Sequence, residues 1–374
     1  MAKIRYLLGA GASYYACPIL ERQAEMMVEV ARQEIQRLYI LKERDGVWKN
    51  YDFIDKKYLS LSDKNEYKIL WWIGYFGEKA KEYNTIDTYA RKLYLNDEKL
   101  EYKYLKMSVS IFFDLWENFY SKDFKLHEDL NYSKIDNRYK SLFSILLNNL
   151  KGEIKLNHDF KFISWNYDLQ LEECFKMFLG KDSVNHYDNV NRLFKFKQNQ
   201  NDNVTNDVFH LNGHRGFFKD KSKTNDEHEQ LLNDSILRDD YWKNLTSVTH
   251  LSASQGKVDF NDYIKYAWEH DFNDIFFQKI ANTMRTTEIL VIIGYSFPAF
   301  NREIDQFLFS KLNHSILKKI IYQDPNATKS MIENLFERPL DIRNKIEIIN
   351  GPRELKQFYL PNEFFISQQN NFTF

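Results

Sequence analysis

In this chain of 374 residues, small and polar side chains follow five apolar runs, and these are the positions where chemistry is expected. Gly9-Ala10-Gly11-Ala12-Ser13 follows the run Ile4 to Leu8 and precedes a segment of helical spacing, Ile19 to Leu41. Glycines at a strand-to-helix turn let the backbone bend sharply and approach a pyrophosphate. The helix beyond offers N–H groups and the positive end of its dipole. Many such turns only connect two elements, so the turn alone marks a candidate dinucleotide cradle and no more. The other four positions are Asn166-Tyr167-Asp168 after Phe160 to Trp165, Asn212-Gly213-His214-Arg215 after Val208 to Leu211, Gly294-Tyr295-Ser296-Phe297 after Ile289 to Ile293, and Asp324 after Lys319 to Tyr322.

The elements that would position these groups alternate. Strand-like runs are separated by helical stretches at Leu169 to Leu179, Ile275 to Met284, Glu303 to Leu312 and Met331 to Phe336. Ile289 to Ile293 carries no polar residue, as expected of a parallel strand buried on both faces. The pattern predicts an α/β fold, a Rossmann-like doubly wound parallel sheet, in which ligands bind at the carboxyl ends of the strands. Between residues 45 and 158 the pattern changes to charged and aromatic residues. Tyr104, Met107, Ile111, Phe112 and Leu115 recur there at three- and four-residue steps, the mark of a helix face packed in a core. The expected organisation is a Rossmann domain of residues 1–44 and 159–374, with 45–158 as a mainly helical insertion. The Asn-rich run Gln198 to Asn203 and the polar stretch Lys219 to Asp234 read as surface loops, the second also as the start of a flexible lid.

Composition narrows the function classes. Lys+Arg 52 against Asp+Glu 53 gives a net charge of -1, without the basic excess that bulk nucleic-acid or anionic-membrane binding normally shows. Cys17 and Cys174 stand far apart without C-x-x-C spacing, so neither a disulfide framework nor a cysteine zinc site is expected. The start, Met1-Ala2-Lys3-Ile4-Arg5, lacks a signal-peptide pattern. Ile289 to Phe300, interrupted by Gly294, Tyr295, Ser296 and Pro298, is too short to span a bilayer. The expectation is a cytoplasmic protein that neither enters a membrane nor binds nucleic acid.

Taken together and in order, Gly9-Ala10-Gly11-Ala12-Ser13, Trp165-Asn166-Tyr167-Asp168, His210-Leu211-Asn212-Gly213 and Gly294-Tyr295-Ser296-Phe297-Pro298 resemble the motifs of the sirtuin-like NAD-binding domains of bacterial antiphage defence proteins. The resemblance implies a fold that binds NAD and, in many members, hydrolyses it to nicotinamide and ADP-ribose. It implies that Gly9, Gly11, Ala12 and Ser13 form the pyrophosphate loop, with Ala10 inside it. It implies further that Asn166 lies beside the nicotinamide ribose, with Asp168 following it, and that Ser296 contacts the nucleotide. Loss of nicotinamide builds oxocarbenium character on the ribose, so the Asn166 amide could position a water and a neutral imidazole could accept a proton. Asn also serves simply as a turn residue at a strand end.

The family places a histidine immediately before the glycine, where this chain has Asn212. His210, two residues earlier, shares a strand face with position 212 and is the favoured candidate; His214 follows Gly213. Each of these histidines also fits a structural role. Asp324 could bind the adenosine ribose hydroxyls, or close an Asp-Pro turn. With two isolated cysteines the four-cysteine zinc module of protein-deacylating sirtuins cannot form, so no zinc is expected. The expected protein is an NAD-cleaving hydrolase, a homo-oligomer triggered by a partner protein or a nucleotide. The alternatives are a catalytically silent nucleotide-binding subunit and an ADP-ribosyl transferase.

Overall fold

The computed structural model describes residues 2–39, 51–121, 132–150, 152–179, 187–197, 205–220, 228–230, 238–248, 258–259 and 264–369. The chain divides into two compact units, one of Met1–Tyr14, Ile135–Asn212 and Lys265–Phe374, the other of Tyr15–Lys134 and Gly213–Ile264.

The first unit is α/β. Its six strands are β1 (Ile4–Leu8), β2 (Phe160–Ser164), β3 (Val208–His210), β4 (Ile289–Ile293), β5 (Lys319–Gln323) and β6 (Ile346–Ile349). All neighbouring pairs are parallel, and the spatial order is β6-β5-β4-β1-β2-β3. This is the Rossmann order, in which the direction of winding reverses between β1 and β4. The fold class expected from the sequence is therefore borne out. Alternation along the strands explains the two layers of helices. Leu7, Ile163, Phe209, Leu290, Ile292, Ile320 and Tyr322 share a core with Phe277, Ile280 and Met284 of the helix Ile275–Arg285 and with Ile304, Leu308 and Phe309 of the helix Arg302–Ser310. On the opposite face Tyr6 and Phe162 stack, and Phe143 of the helix Asn137–Leu146 lies flat on Phe162 with ring centroids 5.8 Å apart. Phe175 of the helix Gln170–Met177 stacks on Phe194 at 4.7 Å.

The second unit is built on the helices Leu20–Tyr39, Asn65–Glu82, Ile86–Leu95 and Lys99–Leu115. The periodic residues Met107, Ile111, Phe112 and Leu115 are buried, as their spacing predicts. Charges are buried there too. The fully buried Glu34 accepts from Tyr120 Oη at 2.7 Å and Trp242 Nε1 at 3.0 Å. Arg215 pairs with Asp114 at 2.6 Å and with Glu117. Despite that partner, burial pushes the Asp114 carboxyl up to about 6.

The division expected from sequence, 1–44 with 159–374 against 45–158, differs from the observed one at three places. The helix Leu20–Tyr39 belongs to the helical unit, residues 135–158 belong to the α/β unit, and Gly213–Ile264 return to the helical unit. Composition could not separate these segments, because amphipathic helices look alike whichever core they cover. Within Lys219 to Asp234, expected as a loop, Phe217–Asp220 pairs antiparallel with His228–Gln230 and with Val258–Asp259. Gln198 to Asn203 lies outside the described residues. Among the described residues no helix is long and apolar enough to cross a membrane.

Candidate functional site

The loops after β1 and β4 meet backbone to backbone. Gly9 N donates to Ile293 O at 3.0 Å, Gly11 N to Gly294 O at 2.9 Å, and Ala12 N to Gly9 O at 2.9 Å. A Cβ on Gly9 would lie 2.5 Å from Gly294 O, and one on Gly11 2.8 Å from Gly294 Cα. The glycines are thus required by the close approach of one loop to the other. Gly294 has φ +59 and Phe297 φ +52, so this loop holds a bulky residue in the left-handed region, a strain that concentrates at ligand sites. Ser296 is exposed between the buried Tyr295 and Phe297. Ala10–Ser13 form a single 3-10 turn, and the next helix begins at Leu20, in the other unit. Three of the amides that sequence assigned to a pyrophosphate are therefore bonded within the protein.

Asn166 stands at the end of β2. Its Nδ2 donates to Ser13 Oγ at 3.2 Å, and Ser13 Oγ shares a hydrogen bond with Tyr139 Oη at 3.4 Å. Tyr139 opens the helix Asn137–Leu146 beside Arg138, whose guanidinium reaches Gly11 O at 3.0 Å and Ala12 O at 3.3 Å while paired with Asp136 at 2.7 Å. Asp136 N donates to Gln170 Oε1 at 3.0 Å, and Gln170 N to Asp168 Oδ1 at 3.2 Å. One helix start therefore ties the β1 loop to the β2 loop. Asp168 uses one oxygen to cap the start of the helix Gln170–Met177, a local role that a polar residue at a strand end commonly takes.

His210 is buried at the end of β3. Its Nε2 lies 2.9 Å from Glu172 Oε1, and its Nδ1 lies 3.4 Å from the Asn166 carbonyl. A carbonyl can only accept, so Nδ1 carries a proton, and the contact to Glu172 shares the other. Burial works to lower the His210 pKa, but the Glu172 carboxylate, Asp168 and the Asn166 carbonyl outweigh it and hold it above the ordinary value. Both ring nitrogens of His210, which the sequence reading favours as the catalytic histidine, are thus engaged within the protein. Asn212 Nδ2 donates to Trp165 O at 3.1 Å, while its buried Oδ1 has no hydrogen-bond partner among the described residues.

The structure thus brings Gly9 to Ser13, Asn166, Asp168, His210, Asn212, Gly294 and Ser296 into the α/β unit. Asp324, in the same unit after β5, accepts from the amide of Asn326 at 2.8 Å and so closes the Asp-Pro turn. Gly213 and His214 fall in the helical unit, where His214 is buried with Nδ1 3.1 Å from Arg215 O. Sequence reasoning missed Asp136, Arg138, Tyr139 and Glu172. Asp136 accepts from Arg138 N at 3.0 Å and caps its helix, a pattern visible in Asp136-Asn137, while Glu172 lies one turn beyond Asp168. Among the described residues no group of three or more His, Cys, Asp and Glu could hold a metal ion, and Cys17 and Cys174 are buried. Neither protein-family models nor curated proteins match the chain.

Proposed function

We propose that the α/β unit binds NAD across the carboxyl ends of β1 and β4 and hydrolyses it to nicotinamide and ADP-ribose. The observation that carries this reading is the strand order, whose reversal lies between β1 and β4, where two glycine loops meet and Asn166 is hydrogen-bonded to Ser13. In the reaction the bond between ribose C1′ and the nicotinamide nitrogen breaks, and the electron pair leaves with nicotinamide. A water oxygen adds to C1′ and its proton passes to solvent. In this reading Asn166 orients that water. The rest of the reading comes from the motif resemblance: a cytoplasmic antiphage effector, homo-oligomeric, and activated by a partner protein or a nucleotide.

A second reading, binding without cleavage, is favoured by one observation: both His210 nitrogens are engaged, and position 212 is an asparagine that cannot take up a proton. The purified chain, incubated with NAD with and without candidate partners, is expected to release free nicotinamide and ADP-ribose. Asn166→Ala is expected to slow this by about 100-fold, the usual cost of one preorganised polar group. Binding without release under every condition establishes the second reading. ADP-ribose left on a macromolecule would make the protein a transferase.

A further inference from the structure

The first turn of the helix Asn137–Leu146 grips both loops that flank the proposed site, and its contacts decide which way one side chain faces. An asparagine amide presents a donor at one end and an acceptor at the other. Asn166 Nδ2 is committed to Ser13 Oγ at 3.2 Å, while Asn166 Oδ1 accepts no hydrogen bond among the described residues. Ser13 is itself held. It is fully buried, and its hydroxyl meets Tyr139 Oη at 3.4 Å. Tyr139 is held in turn, its ring edge-on to Phe358 with centroids 4.8 Å apart, over which the Arg138 guanidinium also lies at 4.8 Å. Burial, with Asp168 and Asp136 nearby, raises the Tyr139 pKa well above the ordinary range, so it keeps its hydroxyl proton.

We propose that Tyr139, acting through Ser13, fixes the Asn166 amide with its nitrogen inward and its oxygen toward the ligand, so that the group this position offers the ligand is the oxygen, an acceptor. The group it selects is a donor: the reacting water or a sugar hydroxyl. Ser13, which the glycine motif suggests as a phosphate ligand, is then a positioning residue. The choice of ligand rests on the NAD reading above; the orientation of the amide does not.

Two measurements separate these parts. In protein carrying 15N-asparagine, with the Asn166 side-chain signal assigned by its loss in Asn166→Ala, hydrogen exchange of the Nδ2 protons reports the inward bond directly. Tyr139→Phe keeps the ring against Phe358 and removes only the hydroxyl, so folding is retained. Exchange is expected to quicken by about tenfold in Tyr139→Phe and in Ser13→Ala, and to return toward wild type in Ser13→Thr, which restores the hydroxyl. Unchanged exchange in both Tyr139→Phe and Ser13→Ala overturns the proposal. Nicotinamide release is expected to show kcat reduced by about tenfold in Tyr139→Phe with KM little changed, because a misdirected amide is felt in the transition state. Faster exchange with kcat untouched would overturn the assignment of Asn166 as an acceptor for the reacting group. A wild-type protein that releases no nicotinamide rejects the hydrolase reading and with it the ligand assignment, while the exchange result still decides the orientation.

Discussion

Gly294→Ala is expected to destabilise the α/β unit by roughly 3 kcal/mol or more and to abolish NAD binding. Two costs combine. The residue has φ +59, where alanine is strained, and its Cβ would sit 2.4 Å from Ala12 N and from Gly11 C. Both neighbours are backbone atoms of the β1 loop and no side chain can swing aside, so the loops must part at the point where the dinucleotide is proposed to lie. The check is a thermal melt, expected to fall by about 6 °C or more for a unit of this size, together with calorimetric titration of NAD. Ser296→Ala, at an exposed position two residues on, should leave the melt unchanged. A Gly294→Ala protein that melts with the wild type would show that the two loops are not locked as described.

Stability is expected to fall as pH rises from 5 to 9, and Asp305→Asn should remove most of the fall above pH 6. Asp305, fully buried on the helix Arg302–Ser310, meets Tyr295 Oη at 2.9 and 3.0 Å, and Asn301 Nδ2 donates to the same hydroxyl at 3.1 Å. Burial pushes its carboxyl up to about 8 from an ordinary 3.8, although the Tyr295 hydrogen bond opposes the shift. Between those values the folded protein holds a proton that the unfolded chain has released. Stability therefore declines across the window and levels off above pH 8. The total reaches up to about 6 kcal/mol. His210 acts in the same sense. Its pKa is raised on folding, so its contribution is complete below 6.5 and is lost as pH rises through the folded value. Asp114, held near 6, adds its own decline at lower pH. Urea unfolding at pH 5, 7 and 9 is the measurement. Asn at 305 keeps an acceptor for Tyr295 and is expected to be more stable than wild type at pH 9. A variant that keeps the wild-type slope between pH 6 and 8 would place the titrating group elsewhere.

Part of the site was legible because local chemistry marks it. Gly9, Gly11 and Gly294 stand out as small residues at strand ends, and Asn166 follows a run of strand formers. Their reason for being there was not legible. The phosphate reading explains glycine by the approach of a ligand, whereas Gly11 and Gly294 are required by each other across 283 positions of chain. The part played by His210 was hidden for the same reason. Its partner Glu172 comes from a helix 38 residues away, and nothing in the spacing of the two shows that one carboxylate and one carbonyl will occupy both ring nitrogens. Asn137 to Leu146 read as part of an insertion because its amphipathic pattern does not say which core it covers. In the fold its first turn carries Arg138 and Tyr139 to the glycine loop.

The sequence by itself determined the class of fold, since periodicity and burial of apolar side chains are properties of neighbouring residues and act whatever lies beyond them. It also determined which strand ends carry polar groups. Tertiary structure alone decided the strand order, with its reversal between β1 and β4. It decided that the β1 loop amides bond to the β4 loop, and that Asn166 Nδ2 bonds to Ser13 beside Tyr139. These are contacts between segments distant in the chain, and hydrogen-bond direction, burial and pKa exist only once those segments are packed together.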